Sequence, residues 1–293
     1  MAKIGFIGLG LMGSAMVQRL LDRDHDLTVL GNRDRTGVEA ATARGAAEAG
    51  SAREVAEGSD IVMLCMGTSD QVEARMRGAD GVIAGLSDGT VVIDFGTSLP
   101  ASTKVLAEEV AAKGAAYLDA PLGRTPSHGR EGKLNIMGAG DRAAFDRVRP
   151  VLDDLGENVF HLGASGAGHT IKLVNNFFGM TVANAMAEAF AMADRAGIER
   201  GDLYDVMAAG PLRSGMMDFV KGYAVDGDPA QLAFSVRNAA KDVGYYRRMA
   251  DDLAAATLMS GCTHQALAEA VEAGRGDDMV SQMVEFYVDR FEA

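Results

Sequence analysis

Cysteine is scarce in this 293-residue chain: there are two, Cys65 and Cys262, far apart and in no CxxC or metal-like spacing. That pattern points to a reducing, cytoplasmic compartment. The five histidines are scattered and form no HxxxH pair, which argues against a metal site. Basic residues are also in short supply. Lys and Arg number 28 against 41 Asp and Glu, for a formal net charge of -13. This argues against nucleic acid and anionic membrane surfaces as partners, while leaving room for a small anionic ligand held by a local basic site. No apolar run is long enough, without a polar interruption, to cross a bilayer. The opening "MAKIGFIGLGLMGSAM" is apolar after a single Lys, as a signal peptide would be, but its glycines fit a strand, a turn and a helix better.

Hydrophobic residues make up 48% of the chain and charged residues 24%, enough apolar matter for a sizeable core. The length lies near the point where one core stops growing, so two domains are expected. In the first half, "KIGFIG", "DLTVL", "DIVMLCM", "TVVIDF", "AAYLDAP" and "LNIMGAG" read as strands separated by helical spacing. Strands alternating with helices predict a parallel sheet covered on both faces.

The first strand runs into Gly8-Leu9-Gly10-Leu11-Met12-Gly13, a GxGxxG that opens a helix. In that setting the first Gly allows the tight turn, the second lets a pyrophosphate approach the backbone, and the third lets helix and strand pack closely. The phosphates then sit on N–H groups at the helix N-terminus. An NAD site usually carries Asp or Glu at the end of the second strand to bond the ribose 2′-OH. Here Gly31, Asn32 and Arg33 stand there. Arg33, helped by Arg35, is the candidate partner of a 2′-phosphate, so NADP(H) is expected ahead of NAD(H). A solvated loop arginine is the alternative.

"GAGHTIKLVNNFFGMTVANAMAEAFAMADRAGI" (166–198) reads as one long helix, with Ile171, Val174, Phe178, Val182 and Ala185 repeating at spacings of three and four. Lys172, Asn175 and Asn176 fall on neighbouring faces. Near a nicotinamide such a lysine is a candidate proton donor to a carbonyl that accepts hydride, with Asn176 bonding the same oxygen or an acid group of the substrate. A lysine that snorkels to solvent is the competing reading.

At these residues the chain resembles the β-hydroxyacid dehydrogenase family, which includes 3-hydroxyisobutyrate dehydrogenase, tartronate semialdehyde reductase and sulfolactaldehyde reductase. Four stretches match in order: "GFIGLGLMG", "DAPLGRTPSHGREGKL", "GAGHTIKLVNN" and "KDVGYY". The resemblance implies that Lys172 is the acid/base and Asn176 a substrate ligand, with Asn175 beside it. It places Lys241 and Phe234 near the cofactor, and Thr97 of "DFGTSLP" at the nicotinamide end. It also implies a Rossmann-type dinucleotide-binding half (1–163), an all-helical half (164–293) and a homodimer or homotetramer.

The chain departs from the family pattern after "DAP". The usual Ser-Gly-Gly is replaced by Gly123, Arg124 and Thr125. An arginine fork binds oxyanions by paired hydrogen bonds, and "GRT" resembles the sulfolactaldehyde reductase branch, which implies sulfonate binding. The plainer reading points Arg124 to solvent or pairs it with Glu131. Oxidative decarboxylation as in 6-phosphogluconate dehydrogenase is disfavoured, because that branch has a histidine before its asparagine where this helix has "KLVNN". Imine reductases usually replace the lysine that is kept here. A non-catalytic dinucleotide sensor would have no need of Lys172, Asn176 and Lys241 together. The expected activity is hydride transfer between a nicotinamide and a short 3-hydroxy acid or its semialdehyde.

Overall fold

The computed structural model describes residues 2–292. The chain forms two compact units, one ending at Lys172 and the other beginning at Leu173.

Among its described residues the first unit holds nine strands: β1 (Lys3–Ile7), β2 (Asp26–Leu30), β3 (Ala47–Ala49), β4 (Ile61–Leu64), β5 (Val91–Asp94), β6 (Ala116–Asp119), β7 (Leu122–Gly123), β8 (Leu134–Gly138) and β9 (Gly156–His161). Between them run α1 (Leu11–Asp22), α2 (Thr36–Thr42), α3 (Ala52–Glu57), α4 (Ser69–Met76), α5 (Val82–Gly85), α6 (Pro100–Ala111), α7 (Pro126–Glu131) and α8 (Arg142–Leu155). Strands β1 to β6 make one parallel sheet in the order β3-β2-β1-β4-β5-β6. All four residues of β4 and of β5 are buried, as expected where helices cover both faces. Alternation along the strands divides the core in two. Ile4, Phe6, Met63 and Ile93 meet Met16 and Leu20 of α1 and Phe145 of α8. Ile7, Val62, Leu64 and Val92 meet Val55, Val72, Leu106 and Val110 from α3, α4 and α6.

"LNIMG" is a strand as expected but does not extend the parallel sheet. It forms β8 of a second sheet, β7-β8-β9, antiparallel to β7 and parallel to β9. The chain leaves β6 through Pro121, whose carbonyl accepts from Met137 N–H at 3.0 Å, so β8 pairs with the strand that turns off the main sheet. Strands β3, β7 and β9 are too short or too polar to stand out by alternation.

Helix α9 (Ala167–Arg195) is 29 residues long and passes from the first unit into the second. The second unit continues with α10 (Arg200–Ala208), α11 (Gly215–Ala224), α12 (Val236–Asp252), α13 (Met259–Ala270) and α14 (Met283–Glu292), and has no strand among its described residues. Its core gathers Met180, Ala183, Ala187 and Phe190 of α9 with Met217, Val220, Val243, Leu267 and Val284. The stripe that marked α9 in sequence is therefore not its buried face. Ile171, Val174 and Phe178 are 41%, 47% and 68% exposed. The helix is apolar on two sides, and the interior takes the side with the smaller residues. No helix among the described residues is long and apolar enough to cross a membrane.

Candidate active site

The turn between β1 and α1 is built around its three glycines, each in a different way. Gly8 has φ +100, and a Cβ there would lie 2.3 Å from the Cys65 carbonyl oxygen. A Cβ on Gly13 would lie 1.9 Å from the Gly8 carbonyl oxygen. Gly10 would meet nothing within 4 Å. Backbone closeness at the outer two and open space at the middle one match a cradle for a pyrophosphate. Gly10 caps α1 without a side-chain bond, which leaves the helix N-terminus available to an anion. The adjoining cavity, about 280 Å³, is lined by Gly8, Leu9, Gly10, Gly31, Asn32, Asp34, Gln71 and Arg75, among others. A dinucleotide therefore fits the residues present. Leu11 and Met12 open α1 beyond the turn. Cys65 also lines the cavity; desolvation, with Asp94 adding to it, pushes its thiol up to about 12, so it is no thiolate nucleophile.

The end of β2 differs in detail from the expectation. Asn32 lines the cavity, but Arg33 is exposed and does not. Arg35 gives both terminal nitrogens to Glu48, at 2.7 and 3.0 Å, and so is already engaged. That pair fills the space beside Gly31 where an acidic side chain would stand. Two residues that the sequence reading passed over face the cavity instead. Asp34 has its carboxyl held below its ordinary range by the Thr36 backbone N–H. Arg75 lies one turn after Gln71 on α4 and has no carboxylate partner recorded among the described residues, whereas Arg77 nearby pairs with Glu73 and Glu109. Helical spacing from Gly67 was the available signal.

In the loop after β6, Arg124 has φ 76, a left-handed conformation unusual for a side-chain-bearing residue. Its Nη1 donates to the Lys133 carbonyl at 2.7 Å and to the Glu157 carboxylate. Glu131, the partner considered from sequence, takes the Lys133 ammonium at 2.8 Å instead. Gly123 ends β7 just before Arg124, and Thr125, the residue preceding α7, has its hydroxyl 2.7 Å from both Ser127 Oγ and His128 Nδ1 without bonding the helix backbone.

Lys172 is half-buried on α9, Asn175 is exposed and Asn176 is buried. Asn175 and Asn176 are bonded to each other, Nδ2 to Oδ1, at 3.3 Å. Within the second unit, Asn176 Nδ2 donates to Asp242 Oδ2 at 2.6 Å, and Lys241 Nζ lies 3.0 Å from Asp242 Oδ1. Asp242 is 2% exposed, so it is the anchor that fixes both residues. The "KD" pair carried that information, but only its lysine was singled out. Lys241 also sits 5.3 Å over the Tyr245 ring. Phe234 packs against the second core, and Thr97 follows β5 in a partly buried position.

The first turn of α9 lies against the carboxyl ends of β5 and β6. Asp94 and Asp119, neighbours in register at those ends, are both fully buried. Asp119 accepts the backbone N–H groups of Gly166 at 2.8 Å and His169 at 2.9 Å. Asp94 accepts from Gly96 N–H and Ser98 Oγ, each at 2.8 Å, and from Tyr117 OH at 3.2 Å. Burial, with Asp94 and Asp119 nearby, pushes the Tyr117 phenol well above its usual value, so it stays a donor. Gly168 permits the approach: a Cβ there would fall 2.2 Å from the Met137 carbonyl oxygen.

Residues 3–163 match the family model described as the NAD binding domain of 6-phosphogluconate dehydrogenase. Residues 166–287 match the model described as NAD-binding of NADP-dependent 3-hydroxyisobutyrate dehydrogenase. The chain is 31% identical to the NAD-dependent L-serine dehydrogenase of Pseudomonas aeruginosa over 88% of this chain and 89% of that one. It is 28% identical to the 3-sulfolactaldehyde reductase of Escherichia coli over 97% of this chain and 95% of that one. The solved structure of Mycobacterium tuberculosis 3-hydroxyisobutyrate dehydrogenase with L-serine superposes with a TM-score of 0.88 at 26% identity, covering 98% of this chain and 99% of that one.

Proposed function

The chain belongs to the β-hydroxyacid dehydrogenase family of nicotinamide-dependent oxidoreductases, and from that premise we propose that it reduces a short semialdehyde bearing a strong anionic group, with NADPH preferred. The observation that carries the reading is the cradle at Gly8, Gly10 and Gly13, open only where a pyrophosphate would approach.

Gly8 to Gly13, Asn32 and Thr97 are the cofactor ligands in this reading, and the bound nicotinamide supplies hydride to the substrate carbon. Lys172 gives a proton to the carbonyl oxygen as negative charge builds on it. Asn176 lies one helical turn beyond Lys172. Its bond to Asp242 uses one amide hydrogen and leaves the second for that oxygen or for an acid group of the substrate. Asp242 likewise steadies Lys241, the further cofactor ligand implied by the family pattern.

Arg124, between Gly123 and Thr125, is proposed to hold the anionic end. Its left-handed backbone costs on the order of 1–2 kcal/mol, a strain of the kind that persists at ligand-binding turns. Its guanidinium already holds a carboxylate, Glu157, through Nη1, while Nε and Nη2 take no part in that bond or in the one to Lys133. A sulfonate presents three oxygens to such a fork. The 3-sulfolactaldehyde reductase that matches nearly the whole chain supports this class. A carboxylate substrate of the 3-hydroxyisobutyrate type is the second reading, favoured by the structural match. The exposed stripe Ile171, Val174 and Phe178 supports a homo-oligomer. The functional division is proposed at 163/164, ahead of α9.

The test is turnover of sulfolactaldehyde, succinic, methylmalonic and tartronic semialdehydes with NADPH, in the wild type and in Lys172→Ala. The variant should lose roughly 10²- to 10⁴-fold in kcat with cofactor affinity little changed. Unaltered turnover in Lys172→Ala would remove the lysine as the acid.

A further inference from the structure

Two carboxylates lie side by side at the ends of β5 and β6 with no exposed surface, and nothing in the chemistry above uses them. Like charges in such a place repel, and buried carboxylates persist only where hydrogen bonds or an opposite charge compensate them. The imidazole of His169, itself fully buried, stands between them. Its Nδ1 is 4.0 Å from Asp119 Oδ2, and its Nε2 is 3.7 Å from Asp94 Oδ2. Thr103 Oγ1 stands 2.7 Å from His169 Nδ1 and 3.1 Å from the Leu99 carbonyl oxygen, so the ring is tied to α6 as well. Nε2 has no hydrogen-bond partner in its buried position, and the charged group nearest to it is Asp94. A lone pair aimed there would be unsatisfied and repelled, whereas an N–H would face an opposite charge.

We infer that His169 is a positioning residue, a buried ring held between Asp94 and Asp119 with its Nε2–H toward Asp94, that fixes the first turn of α9 on the sheet and thereby sets the place of Lys172. The inference rests on Lys172 being the acid. His169 and Lys172 are three residues apart, so they are neighbours on the helix surface, with Lys172 about 4.5 Å further along the axis. Asp119 holds the same turn through two backbone N–H groups, which restrain its axial position. The ring adds a side-chain approach from this turn to β5, through Asp94, and so restrains rotation about the helix axis. An error of about 1 Å in the placement of an acid can cost on the order of 100-fold in rate.

The experiment compares His169→Gln, Asp94→Asn and the double variant in the full-length protein, with Lys172→Ala measured alongside. His169→Gln should lower Tm and reduce kcat roughly 10- to 100-fold while KM and the NADPH Kd stay within about twofold. The double variant should lose less in Tm and in kcat than the sum of the two single losses, since Asp94 acts on the helix through this ring. Ring nitrogen resonances of labelled wild-type protein should show hydrogen on Nε2 of His169. A normal kcat in a destabilised His169→Gln protein would reduce the residue to a purely structural role and overturn the inference. Additive losses in the double variant, or an Nε2 without hydrogen, would overturn it equally. If Lys172→Ala retains turnover, the proposed chemistry fails instead, and the Tm coupling between positions 94 and 169 still reports on the lock.

Discussion

At the scale of single residues, the site is shaped as much by partners as by the groups that do chemistry. Arg124, Arg35 and Arg75 show the difference. Arg35 is committed to Glu48, Arg124 shares Nη1 between Glu157 and a carbonyl, and Arg75 faces the dinucleotide cavity without a carboxylate partner among the described residues. Removing Arg75 should therefore narrow any preference for NADPH over NADH by roughly 10-fold, the worth of one charge-assisted bond to a phosphate. Comparing kcat/KM for the two cofactors in Arg75→Ala and Arg33→Ala tests this; a collapse seen with Arg33→Ala alone would return the phosphate to the strand-two loop. Arg124→Ala should raise KM for a sulfonated semialdehyde more than for a carboxylate one. Equal effects on the two substrates would remove sulfonate recognition from Arg124. "GRT" and "NRDR" identify Arg124, Arg33 and Arg35 in the sequence, but which of them already holds an acid depends on Glu48 and Glu157, which come from other strands.

At the scale of elements, α9 must approach the sheet closely at its start, and Gly168 is what allows it. Alanine is a better helix former than glycine by about 1 kcal/mol, so Gly168→Ala would help an isolated helix. Here the added methyl would press on the backbone of β8, and such overpacking costs about 1–3 kcal/mol. The clash should win and Tm should fall. Gly261 of α13 is the control, since a Cβ there meets nothing within 4 Å; Gly261→Ala should raise Tm. Equal shifts in the two variants would show that the contact at Gly168 is relieved by movement. Helical periodicity reveals the helix but not this contact, because the Met137 carbonyl that makes it lies on another strand.

For the whole molecule, the exposed apolar stripe on α9 is a surface feature that the proposed chemistry does not use. Phe178 is 68% exposed in the single chain and continues the row of exposed apolar residues from Ile171 and Val174, and contiguous apolar surface of this kind marks interfaces. Phe178→Asp should lower the mass measured by light scattering if the stripe joins copies of the chain. An unchanged mass would place any oligomer contact elsewhere.

The sequence alone determined the α/β half with its glycine turn, the helical half, and the family, because each rests on local signals: period-two and period-3.6 patterning, turn chemistry and ordered motifs. Which face of α9 is buried, that β8 joins a second sheet, that Asp34 and Arg75 rather than Arg33 face the cavity, and that Asp242 holds Asn176 were decided only by tertiary structure. Each of these depends on which distant segment arrives as a neighbour, and a partner tens of residues away leaves no periodic trace in the chain.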